Sequence, residues 1–101
     1  MEKTEYAVIL KPARENFIRT ITTEETRAVE GHFEYFKRLF ERGALKFAGR
    51  CEDGWLGLAI LECENESEAI ALMAEDPAVA GGVFEHTIKA WRTALAVEHW
   101  H

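Results

Sequence analysis

The chain has 101 residues, 48% hydrophobic and 30% charged, with a formal net charge of −6. That length suits one small domain, 1–101, which buries roughly 60–70% of the surface of its unfolded form: one core, with little over for a deep private cavity. Scattered Lys and Arg in an acidic chain argue against nucleic acid, which is bound through clustered basic residues, and against an anionic membrane surface.

No apolar run reaches the ~18 residues that span a bilayer. The start, Met-Glu-Lys-Thr-Glu-Tyr, lacks a basic region followed by a hydrophobic stretch, so a cytoplasmic location is the default expectation.

In chain order, residues 5–11 read as a first strand that stops at Pro12, which cannot continue a ladder. Residues 12–21 are a loop carrying Arg14, Phe17 and Arg19. Thr22-Thr23-Glu24-Glu25 is a capping box, and the helix it opens runs to about residue 42, where Gly43 supplies a left-handed stop. Its apolar set is Val29, Phe33, Phe36, Leu39 and Phe40, at helical spacing.

Residues 44–51 and 55–63 read as two strands joined at Asp53-Gly54, a strong hairpin signal. That turn sets Cys51 opposite Leu56 and Cys63 opposite Ala44. The two cysteines then lie about 23 Å apart along the ladder, so an internal disulfide, which needs Cα atoms within ~7 Å, is excluded. Asn65-Glu66-Ser67-Glu68 caps a second helix that buries Ala69, Ile70, Leu72 and Met73. It ends at Asp76, because Pro77 pushes its predecessor out of the helical region. Residues 78–82 read as a glycine-containing turn and 83–95 as a last strand. The tail Glu98-His99-Trp100-His101 reads as loose.

Strand, helix, strand, strand, helix, strand is the ferredoxin-like βαββαβ order: an α+β fold with a four-stranded antiparallel sheet and two helices on one face. The core spans about 5–95. A sheet with one face in water should alternate apolar and polar residues. Here Tyr6-Ala7-Val8-Ile9-Leu10 and the run 55–61 are apolar on both faces. A homodimer packed through the sheet is the simplest cover, since each large residue left bare forfeits ~1.5–3 kcal/mol.

His32 and Asp76 are the candidate catalytic residues. His32 flanks the apolar stripe of the first helix, and Asp76 precedes Pro77 where the second must stop. Each has a structural explanation as well: a half-buried ring on a backbone carbonyl, and an aspartate that starts a turn. As a pair they form a base and its orienting carboxylate, since an Asp–His hydrogen bond fixes the tautomer and frees the distal nitrogen to accept a proton. No serine or cysteine stands as an obvious nucleophile. Proton transfer, giving elimination, isomerisation or water activation, is the chemistry such a pair suits.

Arg14 and Arg50 are the candidate anion contacts, or else solvated surface charges. Gly49 beside Arg50 permits close approach of a ligand, or marks a strand bulge. Gly81-Gly82 lacks the context of a phosphate loop. His99 and His101 alternate in the tail and could chelate a metal adventitiously, but no metal or cofactor is expected. His86 and the aromatic stripe would suit a haem or flavin pocket only by fold analogy.

At these residues the chain resembles the YciI-like proteins, the YCII-related domain family. The matching pieces are Lys11-Pro12-Ala13-Arg14-Glu15-Asn16-Phe17, Thr23-Glu24-Glu25, Gly31-His32-Phe33-Glu34-Tyr35, Phe47-Ala48-Gly49, Glu75-Asp76-Pro77 and Gly81-Gly82. The resemblance implies a dimeric α+β barrel of ferredoxin-like subunits, with a His–Asp pair that maps onto His32 and Asp76. It also implies small-molecule chemistry on aromatic or lactone-type compounds, dehydrochlorination included. The chain departs from the family at Arg50, where many relatives have proline after Ala-Gly.

Two functional expectations follow. One is a small cofactor-independent enzyme of lyase or isomerase type, with His32 as base, Asp76 as its partner and Arg14 or Arg50 as anion anchor. The other is a non-catalytic dimeric module that binds a small ligand or supports an assembly.

Overall fold

Alternation along the first strand decides the layering. The computed structural model describes residues 3–97. In β1 (Thr4–Pro12), Tyr6, Val8 and Leu10 point into the core, while Ala7 and Ile9 face the opposite side of the sheet. β1 lies between β3 (Gly57–Cys63) and β4 (Phe84–Trp91), and β2 (Leu45–Arg50) pairs with the outer edge of β3. The order β2-β3-β1-β4, antiparallel throughout, is the ferredoxin-like sheet expected from the element order.

α1 (Thr23–Glu41), α2 (Glu66–Ala74) and a four-residue α3 (Pro77–Ala80) complete the chain. The core joins Tyr6, Val8, Leu10, Leu45, Ala59, Leu61 and Cys63 of the sheet to Phe36 and Leu39 of α1 and Ala69 and Met73 of α2. The capping box is formed as read: Thr22 Oγ1 accepts from the Glu25 amide at 3.0 Å, and the Thr22 amide donates to Glu25 Oε1 at 2.9 Å.

Several boundaries differ from the sequence reading, each for a physical reason. The last strand ends at Trp91 rather than 95, because Trp91 already pairs with Glu5 and β1 offers little chain beyond it. The third strand begins at Gly57. Trp55 belongs to the hairpin loop and is 65% exposed. Cys51 does face Leu56, its amide donating to the Leu56 carbonyl at 2.8 Å. A bulge between Leu45 and Phe47 then shifts the register, so the Glu62 amide rather than Cys63 meets Ala44. Both cysteines are free, Cys51 exposed and Cys63 buried.

The largest difference lies at Asp76. The segment 78–82 is not simply a turn. Asp76 N-caps α3, and Pro77 takes the first helical position, where its missing N–H costs nothing and its fixed φ suits the helix. The tail residues His99 and His101 lie outside the described residues. No helix among the described residues is long and apolar enough to cross a membrane.

The outer face of the sheet is mixed. Ala7 and Ile60 are buried there, Ile9 and Leu58 are half-buried, and β4 contributes the exposed Glu85, Thr87 and Lys89. The apolar area is therefore centred on β1 and β3, not spread over the whole face.

Candidate active site

α1 carries two apolar lines that share Phe36. Tyr35, Phe36 and Leu39 turn toward the core. Val29, Phe33, Phe36 and Phe40 face a groove of about 730 Å³ between α1 and the sheet. Phe33 and Phe40 are accordingly 63% and 54% exposed. Their helical spacing marked them as core, but a stripe this wide covers both a core and the wall of a cleft. His32 sits on the same helix and lines the groove with its side chain 16% exposed.

Asp76 is fully buried and both its oxygens are engaged. Oδ1 accepts the Ala78 amide at 2.9 Å, which is the cap of α3. Oδ2 lies 2.5 Å from His32 Nδ1. An ionised carboxylate can only accept, so opposite one Nδ1 would carry the proton and Nε2 would be the ring's accepting nitrogen. Nε2 has no hydrogen-bond partner among the described residues. The ring is held on two further sides, by Phe36 at 4.2 Å between centroids and edge-on by Phe84 at 5.3 Å. The buried carboxylate and the two aromatic rings together fix the orientation of the imidazole.

Two residues that set this geometry were not singled out from the sequence. Gly31 lets α1 approach α3: a Cβ there would stand 3.3 Å from Pro77. Phe84 opens β4 opposite Pro12 and supplies the ring beneath His32. Glycine in mid-helix, where it costs ~1 kcal/mol, was the available signal for the first. Nothing local marked the second, because its role depends on strand pairing.

The remaining candidates divide. Gly49 and Arg50 line the same groove as His32. Arg14 does not. Its Nε and one terminal nitrogen clasp Glu25 at 2.9 and 2.7 Å, and the guanidinium also binds the hydroxyl and carbonyl of Thr20 at 2.6 and 2.8 Å. That clasp ties the loop after β1 to the start of α1. The hydrogen bond from Arg14 holds the Glu25 carboxyl far below its usual range, at about 2. A guanidinium already saturated by protein acceptors has no free edge for a ligand. The anion-anchor role expected of Arg14 is thus occupied by Glu25.

Arg50 directs one terminal nitrogen to the carbonyls of Cys51 and Glu52, both at 3.0 Å, and so braces the hairpin. The hairpin tip reaches back to the loop after β1. Gly54 has φ +77, and a Cβ there would fall 2.2 Å from Ile18 Cδ1. The positive φ is what favours glycine at that tip, since the Ile18 methyl is the end of an exposed side chain that can move aside.

A ferredoxin-like sheet with an apolar cleft under its first helix, and a buried-carboxylate–histidine pair on the cleft wall, defines a small α+β domain with an open groove. The chain belongs to the YCII-related domain family, whose model matches residues 5–92. It is 38% identical over 64 residues to "Uncharacterized protein YjpA" of Bacillus subtilis (strain 168), a match covering 63% of this chain and 75% of that one. Among solved structures it is similar to 5-chloro-2-hydroxyhydroquinone dehydrochlorinase (TftG) from Burkholderia phenoliruptrix AC1100 in complex with 2,5-dihydroxybenzoquinone. The TM-score is 0.66 at 16% identity, over 88% of this chain and 95% of that chain.

Proposed function

We propose that the protein is a small cofactor-independent enzyme that moves a proton on a compact organic substrate. His32 is the base and Asp76 its orienting partner. The observation that carries this reading is the 2.5 Å contact between His32 Nδ1 and the buried Asp76 carboxylate, on the wall of an apolar groove. In this scheme Nε2 takes a proton from an acidified C–H or O–H. The electron pair left behind moves onto a conjugated oxygen or expels a leaving group. In elimination the leaving group departs with the pair; in isomerisation the imidazolium returns its proton to another carbon. Asp76 stabilises the imidazolium in between. A positioned base of this kind contributes roughly 10²–10⁴ in rate. The similarity in fold to a dehydrochlorinase makes elimination of chloride from a hydroxylated ring one reaction to try.

The protomer is proposed to pair with a second copy through the outer face of the sheet, where Ile9, Leu58 and Ile60 cluster on neighbouring strands. Sedimentation of the intact chain at micromolar concentration should give a dimer; a stable, folded monomer would remove that part of the proposal.

The test of the catalytic reading uses a panel of hydroxylated and chlorinated aromatic compounds incubated in D2O, with proton loss and chloride release followed by NMR and ion chromatography. Wild-type protein should turn over at least one compound that it binds, and His32→Asn, which keeps a donor near the Nδ1 position but no base, should not. Binding without turnover by the wild type contradicts an enzyme and leaves the binding module; equal turnover by both proteins contradicts His32 as the base.

A further inference from the structure

The groove has a charge pattern unlike the chain that builds it. The protein holds 18 acidic residues against 12 Lys and Arg. Yet Lys37, Lys46 and Arg50 line the groove and no Asp or Glu does. Two of these cations have carboxylates outside it, Lys37 with Glu34 at 4.0 Å and Lys46 with Glu62 at 3.8 Å. Arg50 has no carboxylate in ion-pair range among the described residues. One terminal nitrogen is fixed on the Cys51 and Glu52 carbonyls, while Nε and the other terminal nitrogen have no protein acceptor there. A guanidinium anchored at one corner, with its side edge open, is preorganised for two parallel bonds to a carboxylate.

Strand pairing fixes where the Arg50 backbone lies. Arg50 pairs with Gly57, and Gly57 pairs with Leu10, so Arg50 and Leu10 stand two strand spacings apart, about 10 Å. Gly57 brings no side chain into the space between them: a Cβ there would sit 3.6 Å from Leu10 Cβ and 3.9 Å from Arg50 Cβ. His32 lies beyond, over Phe84 on β4. The free cation and the imidazole therefore occupy opposite ends of the groove, with the exposed rings of Phe33 and Phe40 along it. Flat aromatic walls favour a flat aromatic guest.

We propose that the groove selects a planar aromatic carboxylate, its carboxylate gripped by Arg50 at the β2 end and its ring system extending toward His32. This substrate class rests on the groove already assigned to the enzyme, but it makes Arg50 the specificity-determining residue and needs no turnover to be tested.

Isothermal titration with three matched probes provides the test: 2-naphthoate, the neutral 2-naphthamide, and the cationic 2-naphthylmethylammonium. The carboxylate should bind at least about tenfold tighter than the amide, as a charge-assisted pair requires, and the ammonium weakest. Arg50→Gln should bring the carboxylate down to the amide's affinity and leave the amide unchanged. Arg50→Lys, which keeps the charge but loses the paired donors, should fall between, and Arg19→Gln, outside the groove, should behave as wild type. Circular dichroism confirms that each variant is folded. Equal affinity for carboxylate and amide, a preference that survives Arg50→Gln, or no binding of either probe at millimolar concentration overturns the proposal. His32→Asn should retain the preference. A preference present with no turnover by the wild type discards the base and keeps the anion site; turnover with no preference does the reverse.

Discussion

Gly31 and Pro77 touch so closely that a Cβ on the glycine would lie 3.3 Å from both Cβ and Cγ of the proline. Each is the chain neighbour of one member of the His32–Asp76 pair. The approach of α1 to α3 is therefore the same event that brings Nδ1 to Oδ2. A 3.3 Å contact can be relieved by a few tenths of an ångström, but a larger side chain cannot be absorbed that way.

Gly31→Ala and Gly31→Val separate these effects. Alanine improves helix propensity by roughly 0.5–1 kcal/mol, which offsets much of the added crowding, so Gly31→Ala should melt within about 1 kcal/mol of wild type. Gly31→Val should lose about 1–3 kcal/mol by overpacking. Both should reduce turnover by more than their stability explains, because the dyad is stretched. Denaturant melts beside kinetics on the folded proteins check this.

At Asp76 the cap and the dyad can be taken apart. Asp76→Ala removes the acceptor of the Ala78 amide and the partner of His32 together. It should cost about 1–3 kcal/mol, the usual range for a lost cap or an unsatisfied buried donor. Asp76→Asn keeps a carbonyl oxygen for Ala78 and should be the more stable of the two in urea titrations. It should nonetheless abolish turnover, because the amide replaces the charge that holds the imidazolium.

The Arg14–Glu25 clasp makes an acid-sensitive contribution to stability. The Glu25 carboxyl is depressed from 4.5 to about 2 by its hydrogen bond with Arg14. A depressed acid binds its proton more readily unfolded than folded, so its contribution is whole above pH 4.5 and lost as pH falls toward 2. Urea midpoints of Glu25→Gln and wild type should differ at pH 6 and draw together as pH falls through 2.5 toward 2. A constant difference across that range would show that the clasp does not govern the carboxyl.

The two thiols should behave unlike each other. Burial pushes the Cys63 thiol up to about 11, whereas Cys51 lies exposed in the hairpin. Iodoacetamide at pH 8 should modify Cys51 alone in the native protein and both residues in denaturant, read by mass spectrometry. Because the folded-state value of Cys63 is raised, native stability should decline as pH rises from 9 to 11.

Most of the fold was legible because its signals are local. The Thr22 box, the Gly43 stop and the Asp53-Gly54 hairpin each specify backbone through neighbouring residues, and short apolar runs bounded by Pro12 and the hairpin turn mark the strands. Asp76-Pro77 was read as the end of one helix when it is also the start of another. The same dipeptide stops α2 and caps α3, and only tertiary packing chooses between a turn and a four-residue helix. For the site, His32 and Asp76 could be named from their positions and the family resemblance. Arg14 could not be separated from Arg50, because the acceptors that saturate it, Glu25 and Thr20, come from the far end of a loop whose path no local pattern specifies. Phe33 and Phe40 read as core for a similar reason: helical period shows that a face is covered, not whether side chains or a cleft cover it.

The most direct measurement is the tautomer of His32, read from two-bond 15N–1H correlations in 15N-labelled protein at pH 8, with His32→Asn used for assignment. The expected pattern is a protonated Nδ1 and a bare Nε2, with the Nε2 resonance moving when a ligand enters the groove, and an inverted tautomer in Asp76→Asn, whose amide can donate to Nδ1. A wild-type ring protonated on Nε2, averaging freely between forms, or unmoved by a bound ligand, would contradict a base poised by Asp76.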